Sequence, residues 1–263
     1  MTSLSDSKMV KLITALQLRG FYIREVEGHL TLSRGSHPSD LKALKNLFDN
    51  CDIGYKFDDE KFYIFQEDFD EFTLERIVWY PAEHGAGDVG YRSWKYFIKG
   101  RNGPKICTLA LETGVALFVK SLSAAGITTV LSCDGHGTKA PIVSFYGRYN
   151  ACWFLVLFNA HLKENKFNYN WELTRTNQSD IDLIALKTNY GWDLELVLED
   201  TLRMASFFGD NSATISQLKH NIFIRNRRSN RTLLKRKNFQ ETYDWMQLKY
   251  QDYVKKHETE IKE

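Results

Sequence analysis

Apolar and polar positions alternate in the same way twice within the first seventy residues. Residues 12–33, LITALQLRGFYIREVEGHLTLS, align without gaps on residues 44–65, LKNLFDNCDIGYKFDDEKFYIF. Each copy starts with helix-like spacing and continues as two alternating stretches around an acidic turn. Phe21, Ile23, Leu30 and Leu32 mark one face of the first pair of stretches; Ile53, Tyr55, Phe62 and Ile64 mark that of the second. The turns fall at Glu27-Gly28 and Asp58-Asp59-Glu60, and Ser36 to Asp40 supplies turn and helix-start signals before the second copy. Residues 1–72 therefore read as two helix–hairpin repeats forming one small α/β module. Two copies are too few for a solenoid.

Residues 73–175 read as a central mixed α/β core. The run ALETGVALFVKSLSAAG has helical spacing with Gly126 as its stop. ITTVLS is a β-branched strand, CDGHGTKAP a loop, and IVSFYG a second strand. CWFLVLFNAHL fits a buried strand or a buried helix, and its length does not decide. Residues 176–263 read as helical: Asp180 to Lys187 and Leu194 to Phe208 step by three and four. Asp210 to Ser212 can cap a further helix, and an amphipathic helix runs from Asn238 onward. The fold class is α/β of the α+β kind.

Composition narrows the function classes without naming one. Hydrophobic residues at 43% and charged residues at 26% exclude wholesale disorder, and a net charge of +2 points to no partner. Four dispersed cysteines, with no CxxC pair, favour reduced thiols and a cytoplasmic setting. The N-terminal residues lack a secretory pattern, and the longest bulky apolar run, Cys152 to Phe158, is too short to span a bilayer. No membrane association is expected.

The candidate chemistry centres on Ser132-Cys133-Asp134-Gly135-His136-Gly137. Cys133 and His136, three apart at the end of a strand, suit a thiolate–imidazole pair or two zinc ligands. The bland alternative has the glycines shaping a turn, Asp134 bonding backbone amides and Cys133 simply buried. A second Gly-rich stretch, Glu83 to Trp94, offers His84 as a third metal ligand, with Asp88 as a catalytic partner and Arg92 beside it. Glu112 either joins this group or favours the positive end of its helix. The DGHG segment matches the metal-binding stretch of magnesium-dependent serine/threonine phosphatases only superficially, because their other acidic motifs are missing. GxSxG, GxGxxG and P-loop signatures are also absent.

The stretch from Leu109 to Phe145, a helix ending in AAG, a strand, SCDGHG and a second strand, resembles a helix–strand–SCxGH–strand pattern of poorly characterised phage and prophage proteins. The resemblance implies a mobile-element context. Phage factors that bind and block bacterial defence complexes, inhibitors of the Gabija system among them, belong to that context. No functional residue carries over from it.

Between Lys219 and Lys237 lie eight cations and no acid, Arg225, Arg227, Arg228, Arg231, Lys235 and Arg236 among them. Such a segment suits phosphate or an acidic protein surface, or else is a solvated helix face. Trp245 and Tyr250, with the other aromatics after Asn238, suggest a helix packed against another chain, as in a homo-oligomer or a host-protein interface. The leading expectation is an interaction protein that binds, and inhibits, a host complex. The alternative is an enzyme using Cys133, His136 and Asp88, with zinc, on a nucleotide or nucleic acid.

Overall fold

A computed structural model describes residues 5–33, 35–66, 68–83, 97–98, 105–175, 181–188, 191–224 and 227–260. The N-terminal repeat is real and holds at the level of single backbone angles. Helix α1 (Ser5–Leu18) leads into strands β1 (Ile23–Val26) and β2 (His29–Leu32); α2 (Asp40–Asn50) leads into β3 (Tyr55–Asp58) and β4 (Lys61–Ile64). The two hairpins join through β2 and β4, giving the antiparallel order β1-β2-β4-β3. Leu30 pairs with Phe62, its own counterpart in the repeat, so a pseudo-twofold axis passes between them. The left-handed residues repeat too: Gly20 (φ 104°) with Asp52 (57°), Glu27 (51°) with Asp59 (48°), and Gly28 (77°) with Glu60 (59°). Two adjacent positive-φ residues match the twist of a two-residue hairpin, which explains the turn at each tip. Leu12, Leu16, Phe21, Leu44, Phe48 and Phe62 form the module's dry core.

Helix α3 (Glu71–Val78) follows, its N-terminus capped where the Asp70 carboxylate accepts the Thr73 N–H. The second layer is built from α4 (Thr113–Ala124), β5 (Thr129–Cys133), β6 (Ile142–Phe145), α5 (Arg148–His161), β7 (Trp171–Arg175) and β8 (Ile181–Ala185). Its sheet is antiparallel in the order β5-β6-β8-β7. CWFLVLFNAHL resolves as helix α5. It is apolar on nearly every side because Trp153, Phe154 and Leu157 are all buried.

One expectation fails. Residues 181–185 form strand β8, inserted between β6 and β7, and not a helix. Ile181, Asp182, Leu183 and Ala185 are buried, so the strand shows no clean alternation, and its continuous apolar texture resembles a buried helix. The central core thereby extends past residue 175, and the boundary at 175/176 falls inside the sheet.

The rest of the chain is helical among the described residues: α6 (Leu194–Asp210), α7 (Ser212–Lys219), a π turn (His220–Ile224), α8 (Arg227–Lys235) and α9 (Phe239–Glu260). Phe118, Phe145, Phe154 and Phe208 bring α4, β6, α5 and α6 together, with ring centroids 5.0–6.2 Å apart. Helix α9 starts with a reciprocal cap: Asn238 Oδ1 accepts the Glu241 N–H and Glu241 Oε2 accepts the Asn238 N–H. No helix among the described residues is long and apolar enough to cross a membrane.

The two layers meet through buried charge. Lys120 Nζ on α4 lies 3.1 Å from Asp40 Oδ2 on α2 and donates to Thr108 Oγ1 at 2.6 Å, while the Thr108 N–H donates to Asp40 Oδ1. Arg19, fully buried, donates to the carbonyls of Tyr80 and Leu111. The module thus holds the segment that leads into α4.

Candidate metal centre

Strand β5 delivers Cys133 to the edge of the second layer, and the chain must then reverse within eight residues to enter β6. Three consecutive left-handed residues make the reversal: Gly135 (φ 81°), His136 (51°) and Gly137 (69°). A Cβ at Gly135 would meet the Pro141 nitrogen at 3.0 Å and the Ala140 carbonyl carbon at 3.1 Å, so only glycine fits. His136, without that freedom, is held left-handed at a cost of about 1–2 kcal/mol. The hold comes from Asp134, whose Oδ1 accepts the His136 N–H at 3.1 Å. Oδ2 accepts the Gly114 N–H at 3.4 Å. A Cβ at Gly114 would lie 2.6 Å from that of Asp134, so the first turn of α4 comes as close to the loop as glycine allows.

Glu112 is the N-cap residue of α4, yet its side chain does not cap that helix. It turns to the loop instead, where Oε2 accepts the Asp134 N–H at 2.7 Å and Oε1 lies 3.1 Å from His136 Nε2. Cys133 Sγ lies 3.7 Å from the same nitrogen and accepts the Gly135 N–H. Asp134 Oδ1 sits 3.6 Å from the other ring nitrogen, Nδ1. One donor atom from each of Glu112, Cys133, Asp134 and His136 falls within 4.8 Å of every other.

Tetrahedral zinc with bonds of about 2.0–2.3 Å spaces its donors roughly 3.3–3.6 Å apart. The Glu112–His136 and Cys133–His136 separations bracket that range. Sulfur, imidazole nitrogen and carboxylate together are zinc ligand chemistry. Glu112 Oε1 and Cys133 Sγ both approach His136 Nε2, and the Asp134 carboxylate lies on the other side of the ring, beyond hydrogen-bond distance of Nδ1. The His136 side chain is 61% exposed, so solvent reaches this point.

The electrostatics argue against a bare thiolate nucleophile. Burial pushes the Cys133 thiol up, and the Glu112 and Asp134 carboxylates push it further; only the Gly135 N–H opposes them. Activated cysteines sit in electropositive surroundings, and this one does not. Asp134 is likewise raised, first by burial and then by the neighbouring Glu112 charge. A cation would relieve both.

Cys133 and His136 thus come together as their spacing suggests, joined by Glu112. Asp134, read from the sequence only as a backbone-bonding residue, does that and also faces the ring. His84, Asp88 and Arg92 lie outside the described residues. Arg225 does too, and Arg227 opens α8.

The remaining candidates lie elsewhere. Arg228, Arg231, Lys235 and Arg236 are exposed on and just after α8. Arg148, at the start of α5, donates to the Leu234 and Lys235 carbonyls at the end of α8. Thr129 pairs with Phe145 at that end of the hairpin, Cys133 with Ile142 at the other. The basic helix and the loop therefore occupy opposite ends of β5–β6, separated by about 13 Å of strand. Trp245 and Tyr250 are half-buried on α9, each with a side packed within the chain. Trp245 packs on Phe223 (5.7 Å), and Tyr250 packs on Trp153 (6.0 Å) and hydrogen-bonds His161 at 2.8 Å.

Comparison with models of known protein families, with curated proteins and with solved structures finds no match.

Proposed function

We propose that the protein is a zinc-dependent hydrolytic enzyme whose ion is held by Glu112, Cys133 and His136. The observation that supports this reading most directly is the turn of the Glu112 side chain away from its own helix end and onto the Cys133–His136 loop. Three protein donors facing a solvent-accessible point are the ligand number of catalytic rather than structural zinc. Zinc in such a site lowers the pKa of bound water to about 7. The protein's own part is to hold the donors, with Asp134 fixing the loop backbone through the His136 and Gly114 N–H groups. A nucleotide or nucleic acid is the substrate class expected from the sequence alternative. The test is metal analysis of purified protein, followed by assay of the zinc-loaded enzyme against a panel of nucleotides and nucleic acids. Near-stoichiometric zinc is expected, bound at least tenfold more weakly in Cys133→Ser, His136→Ala and Glu112→Gln. Metal-free protein that takes up no added zinc would overturn the site, and zinc binding without turnover would overturn the enzyme.

A second reading, an interaction protein of a phage or mobile element that binds and inhibits a host complex, is favoured by α8. Its cations are exposed, and Arg228, Arg231, Lys235 and Arg236 pair with no carboxylate among the described residues. A cytoplasmic setting, in which the four free thiols stay reduced, and a homo-oligomeric assembly belong to the same reading.

A further inference from the structure

A groove of about 570 Å³ opens between helix α3 and the end of α2, and none of the proposed zinc donors lines it. Its volume is that of a small-molecule site. Phe72, Glu75, Arg76 and Trp79 form one wall, spaced along α3 and its C-cap as one helix face. Tyr80 adds a further ring, fixed at both ends: its hydroxyl accepts from Asn50 Nδ2 at 2.5 Å, and its carbonyl accepts from Arg19. Arg76, the one cation of the lining, is already engaged. It donates to the Asn50 carbonyl, lies 3.6 Å from Asp52 Oδ2 and sits 5.8 Å from the Phe72 ring centroid. Glu75 is exposed and pairs with no cation among the described residues, and the half-buried Trp79 has neither a cation nor a ring partner among them.

We infer that this groove binds a small quaternary-ammonium compound, its methyl groups against the Trp79 and Tyr80 rings and its charge countered by Glu75. The face of an aromatic ring attracts a cation, indole most strongly, and the attraction grows where water is partly excluded. A trimethylammonium group has no hydrogen bond to make, so it suits a lining that is aromatic and offers few polar atoms. Glu75 selects the sign. A phosphate would meet that carboxylate and find the only cation held by Asp52 and the Asn50 carbonyl. A neutral apolar group would gain the ring contacts but nothing from Glu75. The inference stands apart from the zinc reading, since the two sites share no residue.

Ligand-observed NMR titration of the intact protein tests this with four probes: choline, its uncharged tert-butyl isostere, adenosine monophosphate, and a short peptide bearing one trimethyl-lysine. Choline is expected to bind at least fivefold more tightly than the isostere, more tightly than adenosine monophosphate, and no more weakly than the peptide. Trp79→Ala should weaken choline at least tenfold. Glu75→Gln should weaken it severalfold while leaving the isostere unchanged, and circular dichroism should show both variants folded. Because Glu75 is exposed, its variant keeps the test independent of any folding defect in Trp79→Ala. A smaller preference over the isostere would reduce the groove to an apolar surface. Tighter adenosine monophosphate would make it an anion site, and tighter peptide would assign it to a methylated side chain of another protein. Each of these results overturns the proposal, as does choline that fails to bind or that binds either folded variant as tightly as the wild type.

Discussion

Gly135 shapes the proposed zinc site as much as the donors on its flanks do, because its backbone conformation suits glycine. Its φ of 81° strains any side chain, and a Cβ there would press on the Pro141 nitrogen and Ala140 carbonyl carbon at 3.0 and 3.1 Å. Gly135→Ala should displace His136 relative to Cys133 and Glu112 without removing a donor atom. The expected result is a drop in zinc affinity of at least tenfold by chelator competition, with a stability loss of about 1–3 kcal/mol. Equal affinity in the variant would show that the loop tolerates another path.

Lys219 is the other residue whose surroundings dictate a measurable consequence. It is buried at the end of α7, donating to the Gly126 carbonyl with its Nζ 4.9 Å from the Phe97 ring centroid. Burial pulls it down to about 7 from 10.5. Between those values the unfolded chain holds the proton and the folded chain does not, so stability rises with pH at up to about 1.4 kcal/mol per unit. Below pH 7 both states hold it and the buried charge is a standing cost. Lys219→Met should lack this slope. From pH 6.5 to 8.5 the wild type is expected to gain about 2 kcal/mol on the variant in urea unfolding, and parallel curves would refute it.

At the level of elements, the hairpin repeat was legible because its two copies share an alternating pattern, and the offset of 32 positions survives into the backbone. The second hairpin does differ from the first in one testable respect. Glu60 adopts φ 59° where its counterpart Gly28 adopts 77°, so a side chain occupies a position that glycine suits better. Replacing Asp59-Glu60 by Asn-Gly, the pair that type I′ turns favour, should stabilise the protein by about 1 kcal/mol. A lower melting temperature would mean that the Glu60 side chain contributes more than its strain costs. Strand β8 was not legible, since burial on both faces erases the period that separates strand from helix. The packing of Trp245 on Phe223 and of Tyr250 on Trp153 was hidden for a related reason: a helix with aromatics on several faces reads the same whichever elements touch them. In the loop, Cys-x-x-His was visible as a spacing. Glu112 was ambiguous, because a carboxylate at a helix start serves the helix equally well, and only the fold brings that end to Asp134.

At the scale of the whole molecule, the charged seam between the layers lets the N-terminal module hold the backbone of the proposed centre. Arg19 belongs to the module, just after α1, and its guanidinium grips both the Tyr80 and the Leu111 carbonyls. Leu111 immediately precedes Glu112. Asp40, from the module's second helix, accepts from Thr108 and pairs with Lys120 on the buried side of α4. The backbone carrying Glu112 is therefore held from the module while Cys133 and His136 are held by the second sheet, and the centre forms where the two supports meet. Arg19→Met keeps the bulk and removes the grip. It should cost about 1–3 kcal/mol for each buried carbonyl left without a donor, and should weaken zinc binding below the folding transition. Cys133 and His136 would remain together, so the residual affinity should resemble that of Glu112→Gln, and combining the two substitutions should add little further loss of affinity. Zinc affinity unchanged in folded Arg19→Met would uncouple the module from the site. Charge reversal at Arg228, Arg231 and Lys235 provides the contrast: α8 lies at the far end of the β5–β6 hairpin, so that variant should bind zinc as tightly as the wild type.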